Sequence, residues 1–120
     1  GQEIRIKTIP DPIAKVGGKN SGFMQTGVFK VQAGVAAVLE NFEFDARFRV
    51  TSYDFSYLPK RGEYMLPVTV KSAYFKDDNQ VQSYLDKRAA PGDKVFIENI
   101  KAVGPDNRTR TLGSITLTLN

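Results

Sequence analysis

The chain has 120 residues, 41% hydrophobic and 25% charged, a composition typical of a single globular domain rather than of a disordered or collagen-like chain. It contains neither cysteine nor histidine, which excludes thiol nucleophiles, disulfides, most zinc and iron sites and the commonest general base. Its net charge of +4 comes from 17 basic and 13 acidic residues spread along the chain, so the sequence lacks the concentrated basic patch with interleaved aromatics that would indicate nucleic-acid binding.

Strand patterns begin the chain. Ile4 and Ile6 alternate with polar residues, which predicts a half-exposed strand that ends at Pro10–Pro12. Residues 13–27 hold four of the ten glycines and predict a loop or an irregular sheet edge. The segment Val31–Leu39 fits either a short helix or a strand, and its Gly34 favours something short.

The clearest pattern lies between Phe42 and Leu58. Apolar residues first occupy even positions, with charged residues between them, and then occupy odd positions; the even set is Phe42, Phe44, Ala46, Phe48 and Val50, alternating with Glu43, Asp45, Arg47 and Arg49, and the odd set is Tyr53, Phe55 and Tyr57. A straight strand cannot put both sets on one face. We therefore expect a β-bulge near Thr51-Ser52, and without one the second set would form an outward aromatic patch.

A third region predicts an edge strand followed by a helix. Leu66, Val68 and Val70 alternate, and Pro67 favours an edge position. Asp77 or Asp78 can cap a helix that ends near Arg88, with Gln80 in capping-box spacing from Asp77. The apolar stripe of this helix, formed by Val81, Tyr84 and Leu85, should face the sheet.

Two further strands are predicted at the end of the chain, over Lys94–Val103 and Thr111–Leu119, with a turn at Gly104–Asn107 between them. We find no repeat, linker or low-complexity tract. The sum is one domain over residues 1–120: a mainly β, two-layer antiparallel sandwich, Ig-like, with one short crossover helix.

No pattern indicates catalysis, a metal or a cofactor. Gly17-Gly18-Lys19 lacks the first glycine and the Ser/Thr of a phosphate-binding loop, which would stand at Ile13 and Asn20. The paired carboxylates Glu43 and Asp45 share a strand face with arginines, which favours a solvated charge ladder. We therefore expect neither an enzyme nor a cofactor-binding protein, but a domain that works through contact.

Several segments, read together and in order, resemble the C-terminal domain of the gliding-motility and secretion proteins GldM and PorM. They cover nearly the whole chain: Pro10–Lys19, Gly34–Asp45, Arg47–Tyr53, Gly92–Arg108 and Arg110–Leu112. Two positions depart from the family pattern, where Asn107 replaces a turn glycine and Tyr53 replaces a phenylalanine. Asparagine tolerates the same left-handed backbone, so we expect the turn to be kept.

The resemblance implies a periplasmic module of the type IX secretion system of Bacteroidetes. In that family the parent protein is anchored in the inner membrane by an N-terminal helix, dimerises, and reaches the outer-membrane ring proteins of the PorK/PorN (GldK/GldN) type. It works with a PorL/GldL-type partner, through its N-terminal part, to carry energy outward. The chain begins with Gly-Gln rather than Met and has no apolar run of the roughly 20 residues that span a membrane. We therefore expect it to be the distal fragment, without membrane contact of its own.

Two alternatives stay open: a carbohydrate- or surface-binding sandwich that uses exposed tyrosine and phenylalanine, and an inhibitor-like or chaperone-like module that offers an edge strand. For a partner interface we expect the loops around 15–22 and 104–110, or else the aromatic face that a strand without a bulge would expose. The candidate residues are Lys15, Lys19, Arg108, Arg110, Tyr53 and Tyr57.

Overall fold

A computed structural model describes residues 12–38, 48–60 and 62–120 of the chain. Within these ranges the strands are β1 Ile13–Lys15, β2 Ser21–Met24, β3 Ala36–Val38, β4 Arg49–Leu58, β5 Met65–Val70, β6 Lys94–Val103, β7 Thr109–Leu112 and β8 Ile115–Leu119. The helices are α1 Thr26–Lys30, a 3₁₀ turn over Phe75–Asp77, and α2 Asn79–Ser83, which continues into a π-helical turn over Tyr84–Arg88. The predicted strand around Ile4 and Ile6 lies outside the described residues, as do Phe42, Phe44 and Ala46 of the even-numbered apolar set. The other two members of that set are described: Phe48 is half-buried and Val50 is buried.

The strands form two sheets, as the two-layer, mainly β prediction required. The larger sheet has the order β2-β8-β6-β4-β5, with β7 also paired to β6, and the smaller sheet is the antiparallel pair β1-β3. Strands β5 and β6 both run antiparallel to β4, on opposite sides of it. The chain between them must therefore cross the sheet, and the helical segment 75–88 makes this crossover, as predicted. The prediction of antiparallel strands is wrong for one pair, because β2 and β8 are parallel.

The predicted bulge in β4 is confirmed. The pairing of β4 with β6 shifts between Val50 and Ser52, so one extra residue of β4 is accommodated there. Val50 on one side of the bulge and Tyr53, Phe55 and Tyr57 on the other are all buried, while Arg49 is exposed. The aromatic side chains therefore point into the core, and the outward aromatic patch expected of a straight strand does not form.

Two neighbouring strands change phase at the same level. In β6 the buried positions switch from Val95 and Ile97 to Ile100 and Ala102, across Asn99, whose φ of 50° lies in the left-handed region that asparagine tolerates. The predicted strand Thr111–Leu119 is interrupted at 113–114, so that β7 and β8 form one arm of a hairpin with β6 in a constant register. The phase change thus runs across three strands, which keeps their apolar side chains on one face.

An aromatic cluster fills the space between the larger sheet and the helices. Phe55 lies at its centre, with its ring centroid 5.9 Å from those of both Phe75 and Tyr84. Tyr53 meets Phe75 edge-on at 6.0 Å, and Tyr57 stacks on Tyr84 at 3.9 Å. The full aromatic cluster is Phe29, Tyr53, Phe55, Tyr57, Phe75 and Tyr84. Rings of this size dominate core energetics and here join the crossover to the sheet.

The crossover helix begins as the sequence predicts. The Asp78 side chain accepts hydrogen bonds from the backbone N–H groups of Gln80 and Val81, at 2.9 and 3.1 Å, so Asp78 is the N-cap. The capping box from Asp77 to Gln80 is wrong, because Asp77 belongs to the preceding 3₁₀ turn and accepts a hydrogen bond from Ser72 instead. Val81, Tyr84 and Leu85 are buried, as expected.

The prediction of a loop over residues 13–27 is wrong in part. This segment contains β1, β2 and the start of α1. Its glycines hid the strands: Gly17, Gly18 and Gly22 have positive φ and shape a tight turn and an edge strand. The turn is closed by two backbone hydrogen bonds between Val16 and Lys19. β2 is the outermost strand of the larger sheet, which agrees with the expected irregular edge.

We predict that Leu85→Ala lowers the free energy of unfolding by about 2–5 kcal/mol, because the side chain is fully buried beneath the crossover and its removal leaves a cavity. Leu66→Ala is the matched control, since Leu66 is 77% exposed and should change stability by less than about 0.5 kcal/mol. Chemical denaturation of both variants measures this. Equal midpoints would show that the helical stripe does not face the sheet.

We also predict that Gly34→Ala destabilises the domain by about 1–3 kcal/mol. A Cβ on Gly34 would lie 1.9 Å from the Ala73 carbonyl oxygen, which already accepts a 2.8 Å hydrogen bond from the Val35 N–H. Gly27→Ala is the control, because nothing lies within 4 Å of the added carbon and alanine favours its helix. Thermal melts should separate the two variants, and equal melting temperatures would contradict this close approach.

Candidate interaction surface

One face of the larger sheet packs on the helices, and no helix or strand of the described residues packs on the opposite face. Cross-strand pairing places Phe23, Thr118, Lys94 and Leu58 in one row across four strands of this face. The next row contains Phe96, whose ring centroid lies 6.3 Å from that of Tyr64. We call the surface formed by Phe23, Leu58, Tyr64, Lys94, Phe96 and Glu98 the open face.

The open face combines exposed apolar groups with charges. Phe23 is 62% exposed, Tyr64 45% and Leu58 37%. Lys94 and Glu98 lie on either side of Phe96 along β6, and both are exposed. The Tyr64 hydroxyl donates to the Ser56 hydroxyl at 3.1 Å, which fixes the tyrosine ring over the sheet. An apolar centre with charges around it is the composition of a protein-binding patch. The sequence carried a weak signal for it, in the parity of Lys94, Phe96 and Glu98, opposite to that of buried Val95 and Ile97.

The first candidate loop is held by its own hydrogen bonds. Lys15 is half-buried in β1. Lys19 lies in the tight turn before β2, and its ammonium group donates to the Phe23 carbonyl at 2.7 Å. This contact occupies a carbonyl of an edge strand that a further strand would otherwise use.

The second candidate loop is a turn organised by Asp106. Its carboxylate accepts two hydrogen bonds from the Arg110 guanidinium, at 2.8 and 3.2 Å, and one from the Arg108 N–H. Arg110 also lies 5.1 Å above the half-buried Phe48 ring. Asn107 has a φ of 59°, in the left-handed region that was expected of it. The Arg108 side chain is exposed.

The two candidate loops are far apart. The first loop adjoins β8 at Thr116, and Thr116 pairs with Phe96 of β6. The second loop follows Val103, the last residue of β6. Seven extended residues separate Phe96 from Val103, a distance of about 20 Å. The structure therefore does not bring Lys19 and Arg108 into one site.

Tyr53 and Tyr57 require a correction, because neither offers a ring to a partner. Both are buried in the aromatic cluster by the bulge in β4. The Tyr53 hydroxyl donates to the Tyr74 carbonyl at 3.0 Å, and burial raises the pKa of this phenol far above its ordinary value. The Tyr57 hydroxyl accepts from Arg88 at 3.3 Å. Their roles are structural.

Within the described ranges, no group of three or more acidic side chains could hold a metal ion. None of the helices there combines the length and the apolar composition required to span a bilayer. The outer strand β5 carries Pro67 and a register shift between Phe55 and Tyr57 of its partner, features that disfavour the addition of a further strand.

We predict that Arg110→Gln raises the pKa of Asp106 towards its ordinary value of 3.8, because the paired guanidinium holds that pKa below this value. With a lowered folded-state pKa, the pairing favours the folded turn above the ordinary pKa and is lost as pH falls through the folded one. A carboxyl NMR titration measures the change. Arg108→Gln is the control, since only the backbone N–H of Arg108 contacts Asp106. Equal midpoints in the wild type and Arg110→Gln would contradict the assignment.

Comparison with models of known protein families identifies a family for this chain. The model of the GldM C-terminal domain matches residues 10–120, which include all the described residues. None of the curated proteins matches the chain. The match covers the bulged strand β4, the crossover helix and the hairpin arm formed by β7 and β8. The chain therefore belongs to the GldM C-terminal domain family, a family of structural components associated with type IX secretion and gliding motility.

Proposed function

We propose that this domain is a non-catalytic periplasmic interaction module of the type IX secretion system. It contacts outer-membrane ring components of the PorK/PorN (GldK/GldN) type and helps to transmit energy from the inner-membrane motor. The observation that carries this proposal is the family match over residues 10–120. In this proposal the parent protein is anchored in the inner membrane and forms a homodimer. The N-terminal part of the parent protein binds a PorL/GldL-type partner.

The packing of the domain supports a mechanical role. Transmission of force requires a body that keeps its shape. The aromatic cluster joins the crossover segment to β4 through four ring contacts, Tyr53–Phe75, Phe55–Phe75, Phe55–Tyr84 and Tyr57–Tyr84, and Phe29–Phe75 joins it to α1. The buried polar atoms of the described side chains all have hydrogen-bond partners. A core of this kind has few ways to rearrange under load.

The open face is the surface that we assign to the ring proteins. Its exposed aromatic rings can fill pockets of a partner, while Lys94 and Glu98 can fix the orientation of docking. Among the candidate loop residues, Lys19 and Arg110 already bind groups of their own domain. They remain secondary candidates for the interface, together with Lys15 and the exposed Arg108.

The carbohydrate-binding alternative has less support. It relied on exposed tyrosine and phenylalanine as stacking platforms. Tyr53 and Tyr57 are buried, which leaves Phe23, Tyr64 and Tyr74 as the exposed rings of the described residues. The alternative of a strand-donating module is weakened by Pro67 in β5 and by the Lys19 contact on β2.

The test is co-purification of the domain with PorN-type and PorK-type ring proteins. Phe23→Glu should weaken binding by about tenfold or more, because it places a charge in the apolar part of the open face. Val31→Glu is the matched control: Val31 is 78% exposed but lies after α1, away from the open face. If Phe23→Glu binds as well as the control does, the open face is not the interface.

A second pair of variants tests the loops. Lys19→Glu or Arg108→Glu should leave the melting temperature nearly unchanged and weaken ring-protein binding less than Phe23→Glu does. A larger loss with either loop variant would assign the contact to the loops. Absence of binding by the wild-type domain to both ring proteins would contradict the proposed function.

A further inference from the structure

A continuous groove runs between the crossover helix and the turn that joins β4 to β5, and it meets the open face at Tyr64, which lines its largest cavity. Three adjoining cavities of about 690, 530 and 380 Å³ form it, and Arg88 lines all three. Tyr57 and Tyr84 line the two larger ones. Nothing in the function proposed above uses this groove.

The floor of the groove is rigid. Tyr57 and Tyr84 stack at 3.9 Å, and the Tyr84 hydroxyl donates to the buried carboxylate of Asp93 at 2.9 Å. Asp93 also accepts from the N–H groups of Lys60, at 3.1 Å, and Ala90, at 3.2 Å. Because this carboxylate is satisfied from three sides, it ties the floor, the end of the helical segment and the β4–β5 turn together. The groove is therefore formed before a ligand arrives.

Arg88 projects from the π-helical turn, a distortion that is frequent at functional sites. Its guanidinium donates to the Tyr57 hydroxyl at 3.3 Å, which orients it. No carboxylate in the described part of the chain forms an ion pair with it. An arginine has five N–H donors in a fixed fork that matches a carboxylate. The guanidinium can therefore bind an external carboxylate without breaking an existing ion pair.

The charges along the groove give it a direction. Lys60 lines only the smallest cavity, at one end, where the Asp93 carboxylate also lies but already accepts three hydrogen bonds. Glu63 lines the two larger cavities, and Arg88 is shared by all three. A ligand carboxylate would be attracted to the side of Lys60 and Arg88 and repelled near Glu63. A basic group on the ligand would be favoured beside Glu63. Asn79 and Gln80, whose side-chain amides pair with peptide groups, line the Glu63 end.

The shape fits a peptide better than a sugar. The rings of Tyr57 and Tyr84 stack on one another and are buried, so the floor has no exposed ring face on which a sugar could stack. The helical segment from Asn79 to Arg88 is about 15 Å long, the length of four or five extended residues.

We propose that this groove binds an extended peptide segment of a partner protein, with an acidic side chain on Arg88 and Lys60 and a basic side chain towards Glu63. The site shares only Tyr64 with the open face, and it does not depend on the assignment of the ring proteins to that face. The expected ligand is a peptide of four or five extended residues with an acidic side chain towards one end and a basic side chain towards the other.

The experiment selects random heptapeptides displayed on phage against the immobilised domain. Selected peptides should be enriched in Asp or Glu with Lys or Arg two to four residues away, a spacing that follows from about 3.3 Å per extended residue. An enriched peptide is then synthesised, and its affinity is measured by fluorescence anisotropy for the wild type, Arg88→Gln and Lys60→Gln. Arg108→Gln, at an exposed arginine outside the groove, is the matched control.

We expect Arg88→Gln to weaken binding by about tenfold or more and the control by less than about twofold. Replacing the acidic residue of the peptide by its amide should cost the wild type a similar factor and Arg88→Gln almost nothing further. If Arg88→Gln alters the melting temperature, the affinity of the peptide for Lys60→Gln decides instead. This variant keeps the hydrogen bond from the backbone of residue 60 to Asp93, and its peptide affinity should fall as well. Selected peptides without acidic enrichment, or unchanged affinity in both groove variants, would overturn the proposal.

Alginate, an acidic polysaccharide, is the competing probe. If it binds the wild type, loses affinity in Arg88→Gln and displaces the peptide pool, the site is a glycan site and the peptide assignment is wrong. Phe23→Glu should retain peptide binding, and Arg88→Gln should retain ring-protein binding. Failure of the groove proposal is thereby distinguished from failure of the proposed function.

Discussion

The phase change that crosses β4, β6 and the β7–β8 arm is the constraint on which the rest of the domain depends. Each strand has apolar side chains of one parity before this level and of the other parity after it, and only an irregularity in every strand can keep them on one face. Thr51, Asn99 and the break at 113–114 supply these irregularities. Without them, Tyr53, Phe55 and Tyr57 would point away from the helices, and the aromatic cluster that fixes the crossover would not exist.

From this constraint follows the difference between the two sides of the larger sheet. On one side the aromatic side chains pack against the crossover helix. On the other side fewer aromatic side chains lie exposed, next to charged residues. The groove at Arg88 arises where the crossover returns to the sheet, because the stacked tyrosines and Asp93 hold the helix end at a fixed distance from the β4–β5 turn. The domain thus presents two surfaces on one core, the open face and the groove, which meet at Tyr64.

The sequence predicted what local periodicity and capping chemistry determine. The bulge in β4, the Asp78 cap, the buried stripe of the crossover helix and the turn at Asn107 each rest on residues close together in the chain. The strands near Gly17–Gly22 were missed because glycine has no side-chain pattern to read, and because β1 pairs with β3 and β2 with the distant β8. The open face and the groove could not be predicted either, since both depend on which strands become neighbours. The change in β6 from odd to even apolar positions, between Ile97 and Ile100, is visible in the sequence. Its cause becomes clear only when the neighbouring strands are known.

We infer that the domain works through the open face of its larger sheet. Hydroxyl-radical footprinting of the domain, free and bound to a PorN-type ring protein, examines this inference because it reports on side chains one by one. Phe23, Leu58 and Tyr64 should lose reactivity in the complex, while Val31 and Tyr74, which are also exposed, should not. Protection of Val31 and Tyr74 with Phe23 and Tyr64 unchanged would contradict it.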